Sequence, residues 1–462
     1  MIKFGTDGWR AVIARDFTFE NVAIVAQSIA DYLKKRKKKN KVVVGYDCRF
    51  LSKEFAKEVS LVLTANNIKV TLSDKAVPTP TISYHCHYRR YELGVMITAS
   101  HNPAVFNGLK IKTPQGGSAD KSLTNEVESY LGKSKVKKID FVTAKNKNLL
   151  KVDDLTGIQI DFLKDFIDLR KIGKLKLKVL VDLMYGSGGN FAEKILGKSK
   201  VKIEYLHDQF NPSFGGIHPE PVESNLKEII SRMKKGGYDL GLVLDGDADR
   251  IAMIDGKGNY INAQIILPLL ATHMIKNRKE KGGIGKTVVG SNVIDNVALS
   301  LGVACYETPI GFKYLSSLFA DNLICIGGEE AGGIGFQGYI PERDGSVSFL
   351  LMLEMMASEG KSFNTLLDEF YKQYGKYHYT RTSMPVKSLK KSLADIKIPK
   401  ALCGKKIKRV NTLDGVKLIT EDSWLMLRKS GTEPIVRVYA ESKSKKEGEK
   451  LVALGEKMIH AL

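Results

Sequence analysis

A chain of 462 residues, 43% hydrophobic and 27% charged, is long enough for three or four domains and has none of the bias of a disordered or low-complexity protein. No apolar run reaches the ~18–20 residues of a membrane-spanning helix; residues 265–275 come nearest and are interrupted by Pro268, Thr272 and His273. The formal charge of +21, from 72 basic and 51 acidic residues, admits nucleic acid or an anionic small molecule as partner. The basic stretches carry no interleaved aromatics and no zinc or helix-turn-helix spacing, so no nucleic-acid partner is expected.

The start, MIKFGTDGWR, has no apolar segment of the secretory kind, and the five cysteines are scattered without C-x-x-C spacing. Reduced thiols and a cytoplasmic location are the expectation. In chain order, residues 21–32 carry apolar side chains at helical spacing. The lysine-rich run 34–41 reads as a solvated helix end, and 42–46 as a buried strand. Residues 55–66 are helical again, and 69–72 and 93–98 predict strands. His85-Cys86-His87 reads as strand, where i and i+2 share a face; no further ligand is near, so no metal is expected there. Lysine-rich 133–151 reads as a loop and a first boundary.

The alternation restarts with a strand at 179–182, the turn Gly186-Ser187-Gly188-Gly189 and a helix, then strands at 240–244 and 251–255. It restarts again after Asp255-Gly256-Lys257-Gly258, with strands at 287–290 and 323–326. Beyond Tyr374 the pattern turns strand-rich, at 424–428 and 435–440, and closes with a helix at 446–459. The expected fold is three successive α/β mixed-sheet domains, 1–150, 151–255 and 256–372, followed by a C-terminal α+β domain, 373–462.

Several segments carry chemistry. Thr98-Ala99-Ser100-His101-Asn102-Pro103 follows a strand, where α/β sheets present ligands; Ser100, flanked by His101, is either a nucleophile or a turn serine. Asp245-Gly246-Asp247-Ala248-Asp249-Arg250 lies between two strands, and its three carboxylates can converge on one hard cation. An EF-hand is excluded, because Arg250 stands where that loop needs glycine and Gly256 where it needs glutamate. A Mg2+-type site is expected. Arg428-Lys429-Ser430-Gly431-Thr432-Glu433-Pro434 joins two strands; its backbone N–H groups can form an anion nest, to which Arg428 adds a guanidinium fork. Gly327-Gly328-Glu329-Glu330-Ala331-Gly332-Gly333 and Gly5-Thr6-Asp7-Gly8-Trp9-Arg10 are acidic glycine loops, the first suited to sugar hydroxyls.

Taken in order, GTDGWR, TASHNP, DGDADR, GEEAGG and RKSGTEP resemble the α-D-phosphohexomutase superfamily, which includes phosphoglucomutase and phosphomannomutase. The resemblance implies four domains around a central cleft, and a phosphoserine at Ser100. It implies Mg2+ ligation by Asp245, Asp247, Asp249 and a phosphoserine oxygen, and a lysine, Lys110, that assists proton transfer. It further implies cleft arginines at Arg10 and Arg250, and a sugar-orienting segment at Gly311-Phe312-Lys313 together with Glu329 and Ala331. The non-transferred phosphate would be held by Arg428, Ser430, Gly431, Thr432 and Arg437. The implied activity is interconversion of hexose 1-phosphates and hexose 6-phosphates, glucose or mannose, through a hexose 1,6-bisphosphate. Such an enzyme works on small molecules as a monomer or dimer, without membrane partners.

Two positions depart from the family pattern Gly-Glu-x-Ser-Gly-His: Ala331 replaces the serine and Gly333 the histidine. Lys429 adds a cation to the phosphate loop. The wording TASHNP and GFK resembles the glucose/mannose branch more than the amino-sugar branch. A phosphoglucosamine mutase is the enzymatic alternative, and a non-catalytic basic binding protein on the same fold is the alternative of another class.

Overall fold

The computed structural model describes residues 2–36, 41–385, 392–430 and 435–462. Among them, four sheets of four or more strands follow one another along the chain, and a two-stranded ribbon, Ala401–Leu402 with Lys405–Lys406, lies within the last unit. The first has six strands in the order Trp9–Val12, Phe106–Lys112, Leu93–Ile97, Lys41–Tyr46, Lys69–Ser73, Leu150–Asp153. Phe106–Lys112 is antiparallel to both of its neighbours, and the remaining pairings are parallel. The second places Lys178–Asp182 parallel to both Lys202–Leu206 and Leu240–Leu244, with Ile251–Asp255 and Tyr260–Ile261 antiparallel beyond. The third runs Cys305–Thr308, Gly283–Thr287, Ile324–Gly328, Ile334–Phe336. The fourth is wholly antiparallel, built around the pair Trp424–Lys429 and Ile435–Ser442, and helix Lys445–His460 packs on it. Three mixed α/β units and a strand-rich C-terminal unit are the expected architecture.

Hydrophobic burial explains how the units join. Helix Phe19–Lys35 has Thr18 as its N-cap, the hydroxyl accepting from Asn21 N–H, and a buried apolar stripe against the first sheet. That core centres on Trp9, Phe17 and Phe55, with ring centroids 4.7 and 4.8 Å apart. Helix Gly345–Glu359 is buried from Gly345 to Met356, and one continuous core spans the second and third sheets around it. A helix apolar on all sides has no solvent face, so it serves as a shared wall between two units. The fourth unit has a smaller core of its own, built on Leu418, Leu425, Leu427, Val436 and Val438.

Four local expectations are corrected. His85-Cys86-His87 lies in helix Thr79–Arg89, begun by Pro80 in its first turn, and not in a strand. Its histidines satisfy backbone carbonyls, Nε2 of His85 at Leu155 and Nδ1 of His87 at Gln115, both at 2.8 Å. Residues 133–151 are not all loop: helix Phe141–Asn146 and the edge strand Leu150–Asp153 complete the first sheet. The turn after Asp255 joins two strands of the second sheet. The strand expected at 287–290 is Gly283–Thr287, whose parallel pairing on both sides begins at glycine-rich sequence that strand propensity discounts.

Candidate active site

Ser100 sits three residues beyond the carboxyl end of Leu93–Ile97, in the left-handed region at φ 52°. A non-glycine residue there needs a surround that holds it. Arg49 supplies it. Its guanidinium, wholly buried, donates to the carbonyls of Ser100, Asn102 (2.7 Å), Pro103 (2.9 Å) and Phe106 (3.0 Å). Asp47 anchors it at 3.2 Å, and its face lies 4.8 Å from the Phe214 ring of the second unit. The Ser100 N–H is fixed by Thr98 Oγ1 at 2.8 Å.

The loop Asp245–Arg250 meets this turn from the second unit. Ser100 Oγ donates to Asp245 Oδ2 at 2.9 Å, and His101 Nδ1 lies 3.4 Å from the same hydroxyl. A Cβ on Gly246 would fall 2.6 Å from the Ser100 carbonyl oxygen, so only glycine lets the two loops touch. Asp245, Asp247 and Asp249 are fully buried, and one carboxylate oxygen from each lies within 4.8 Å of the others. Burial first, then the charges of Asp247 and Asp249, push the Asp245 carboxyl well above its usual range. Asp247 Oδ1 and Asp249 Oδ1 are buried without a hydrogen-bond partner among the described residues. Hard oxygen donors, mutual repulsion and unsatisfied buried oxygens together fit a divalent cation.

Lys110, on the strand Phe106–Lys112, is buried with Nζ 2.8 Å from Asp247, 3.1 Å from Asp249 and 2.9 Å from Asp7. Burial would lower its pKa, but these carboxylates outweigh it and hold the ammonium charged. Arg10, paired in register with Gly108 of that strand, donates to Asn102 Oδ1 at 2.7 Å and lies 3.6 Å from Asp7. Arg250 Nε lies 3.8 Å from Asp249. Burial, with Arg250, Arg10, Lys110 and Arg49 nearby, keeps the His101 imidazole well below its usual pKa and therefore neutral.

The acidic glycine loop joins this centre through a residue the sequence did not single out. Arg343, 3% exposed, places Nη2 2.9 Å from Asp249 and 3.0 Å from Asp7, Nη1 2.8 Å from Glu329, and Nε 3.2 Å from Glu342. It thus ties all three α/β units together. A Cβ at Gly333 would lie 2.1 Å from Arg343 Cδ. The missing histidine is therefore the space through which this arginine runs. Ala331 sits half-buried in the turn closed by Glu329 N–H to the Gly333 carbonyl at 2.8 Å. Gly311, at φ 129°, faces Thr6 of the N-terminal segment, and half-buried Lys313 follows at the start of helix Phe312–Ala320.

Arg428 and Arg437 face each other in cross-strand register on the last hairpin. Like charges directly opposite destabilise a sheet unless an anion lies between or beside them. Ser430, buried, closes the hairpin with its N–H on the Ile435 carbonyl at 2.9 Å. Gly431 and Thr432 lie outside the described residues. Arg343 and Arg49 are the residues missed by sequence reasoning, and of the two only Arg49 gave a signal, by following the carboxyl end of a parallel strand; Asp7 lay within the glycine loop read above but was given no role of its own.

A buried serine on a carboxylate triad, ringed by fixed cations, defines a site for chemistry on phosphate esters. Four family profiles match the chain, phosphoglucomutase/phosphomannomutase alpha/beta/alpha domain I at residues 1–138, domain II at 160–258, domain III at 262–374 and the C-terminal domain at 383–454. The chain belongs to the phosphoglucomutase/phosphomannomutase family, isomerases of the phosphohexomutase class. It is 31% identical over 99% of its length to a phosphoglucomutase/phosphomannomutase of Thermococcus kodakarensis, covering 98% of that protein. It is 30% identical over 97% of its length to a phosphoglucosamine/phosphogalactosamine mutase of Sulfurisphaera tokodaii, covering 97% of it. The crystal structure of a protein assigned as a phosphomannomutase in Thermus thermophilus is 29% identical, with a TM-score of 0.88 over 99% of both chains. No helix among the described residues is long and apolar enough to cross a membrane.

Proposed function

We propose that this phosphohexomutase interconverts hexose 1-phosphates and hexose 6-phosphates, of glucose, mannose or both, through phosphorylated Ser100. The observation that carries the reading is the Ser100 hydroxyl 2.9 Å from Asp245 within the buried aspartate triad. Asp245, Asp247, Asp249 and a phosphoryl oxygen on Ser100 would hold Mg2+, which draws charge from the phosphoryl group when bound. The remaining charge is offset by Lys110, Arg10, Arg250 and Arg343, all fixed before substrate arrives.

A free sugar hydroxyl attacks phosphoserine 100; the bond to Ser100 Oγ breaks, the hydroxyl oxygen gains the phosphoryl group, and its proton ends on Ser100 Oγ. The product is a hexose 1,6-bisphosphate. Reorientation presents its other phosphate to Ser100, and the reverse transfer releases the isomer. His101, neutral and 3.4 Å from Ser100 Oγ, orients the hydroxyl after transfer. Arg428, Ser430, Gly431, Thr432 and Arg437 grip the phosphate that is not reacting, in either orientation of the sugar. Glu329 and the segment Gly311–Lys313 receive the sugar hydroxyls, with Ala331 contributing no hydroxyl of its own.

The test is a parallel assay with glucose, mannose and glucosamine 1-phosphates, Mg2+ and a trace of bisphosphate, on wild type and Ser100→Ala. Turnover of glucose or mannose 1-phosphate that vanishes in Ser100→Ala supports the reading. Full activity without the serine overturns it. The Sulfurisphaera relative motivates a second reading, amino-sugar preference, which predicts that glucosamine 1-phosphate turns over fastest.

A further inference from the structure

Two parts of the proposed substrate site lie on different units: the phosphate grip on the C-terminal hairpin and the sugar segment at Gly311–Lys313 on the third. One carboxylate touches both. Asp414 Oδ2 accepts from Arg428 Nε at 2.8 Å and from the Ile310 backbone N–H at 2.9 Å. Ile310 immediately precedes the sugar segment, and Arg428 is the arginine aimed at phosphate. Both side chains of the pair are sheltered, Arg428 14% and Asp414 23% exposed.

Asp414 lies in the turn between the strands Arg409–Asn411 and Val416–Ile419. The same hairpin holds the third unit elsewhere. Lys417 Nζ donates to the Val288 carbonyl at 2.6 Å, and Asn411 Nδ2 donates to Glu307. These contacts fasten the hairpin to the third unit, but neither touches Arg428. Only Asp414 makes the position of Arg428 depend on the backbone at Ile310, among the described residues.

We propose that Asp414 is a positioning residue that couples phosphate seating by Arg428 to the placement of the sugar segment Gly311–Lys313. The inference rests on the proposed role of Arg428. A carboxylate shared between two donors holds both at fixed separation, and its charge orients the guanidinium so that the remaining N–H groups point away from Asp414. When a phosphate draws on Arg428, the carboxylate transmits the displacement to Ile310 and the residues that follow. A rigid phosphate grip would bind the substrate's phosphate whichever way the sugar lay; a coupled one lets phosphate seating set the pocket that receives the sugar.

The test is a pair of double-mutant cycles on kcat/KM for the preferred hexose 1-phosphate, in the full-length Mg2+-loaded enzyme. Arg428→Ala and Lys313→Ala are combined in wild type and again in Asp414→Ala. The expected result is non-additivity of about fivefold in wild type, falling to within about twofold of additivity when Asp414 is removed. Asn411→Ala, which loosens the same interface without touching Arg428, is expected to keep the coupling and to lower only thermal stability. Asp414→Asn, which keeps an acceptor for Ile310 but loses the charge that orients Arg428, stands in if Asp414→Ala does not fold, with the coupling again expected to fall. Equal coupling with and without the Asp414 carboxylate, or loss of coupling in Asn411→Ala, overturns the proposal. If Arg428→Ala alone leaves KM unchanged, the phosphate-grip reading fails instead, and the two failures are told apart.

Discussion

Replacing Gly333 by alanine isolates the contribution of Arg343. The backbone at Gly333 lies outside the left-handed region, so an alanine is conformationally allowed and, by itself, stabilises by about 0.4–1 kcal/mol through the unfolded chain. What forbids it is Arg343, whose Cδ and Cγ lie 2.1 and 2.7 Å from the new methyl. If the arginine yields slightly and keeps its partners, the cost is that of overpacking, about 1–3 kcal/mol. If it swings out, Asp249, Asp7, Glu329 and Glu342 lose a buried cation, and breaking such a pair costs about 3–5 kcal/mol. A net loss near about 3 kcal/mol lowers Tm by roughly 6–12 °C for domains of this size. Withdrawing the cation from the aspartate centre lowers kcat by roughly 100–1000-fold, the usual cost of removing one fixed charge-stabilising donor from a reacting centre. Thermal melts and steady-state kinetics on Gly333→Ala, Arg343→Ala and the double variant provide the measurement. In the Arg343→Ala background the added methyl should cost little, because its nearest remaining neighbour is Glu329 Oε2 at 3.3 Å, the end of a flexible side chain. An equal penalty in both backgrounds, or a Gly333→Ala enzyme indistinguishable from wild type, refutes the reasoning.

Three further outcomes follow from other contacts. Arg49→Lys should lower both Tm and the fraction of phosphorylated Ser100 seen by intact mass, since an ammonium cannot serve the four carbonyls that the guanidinium holds. Chelation should abolish turnover and lower Tm, with Mg2+ at about 100 times its Kd restoring about 2.7 kcal/mol by mass action; a Tm insensitive to chelator and to added Mg2+ contradicts the aspartate site. Burial, then repulsion from Lys286, holds Lys417 down to about 8, below its ordinary 10.5, with Glu307 opposing. A depressed pKa means the unfolded chain binds more protons between pH 8 and 10.5, so this group's stability contribution is complete above 10.5 and is lost as pH falls through 8. Relative to Lys417→Met, wild type should therefore gain up to about 3 kcal/mol as pH rises across that window; parallel Tm–pH curves for the two proteins would contradict this.

The sheets and the loops that carry Ser100 and the aspartate triad were legible because they use local signals: apolar runs of strand length, and carboxylates or a serine just beyond a strand end. Helix Thr79–Arg89 does not read as one although Pro80 marks a first turn, because its residues are buried on most sides and lose helical periodicity. Strand Gly283–Thr287 is disguised by two glycines and a lysine; Lys286 is buried with Asp295, the nearby Glu307 and the Ser291 carbonyl as partners. Arg343 was illegible for another reason. Its partner Asp7 is 336 residues away, and no periodicity or spacing encodes a contact made by tertiary folding. The departure at Gly333 is visible in the sequence, but it reads as a lost group, whereas the structure fills the gap with Arg343, the residue just before the N-cap of helix Gly345–Glu359.

The junction of the Ser100 turn with the loop at Asp245–Arg250 and with Arg343 has a consequence for the order of events in the cell. Ribosomes extend chains at about 5–20 residues per second, so the serine emerges roughly 10–50 s before the arginine that completes its surround. During that interval the first unit can fold around Trp9, Phe17 and Phe55 and display a hydroxyl with neither metal ligands nor the cations of the later units. A nascent or truncated first unit is thus chemically mute, and each new molecule leaves the ribosome uncharged. Under the function proposed above, its first phosphoryl group comes from outside, as the proposed bisphosphate, before any turnover begins. On that reading, the rate at which a cell gains working enzyme is set by the supply of the priming molecule as well as by translation.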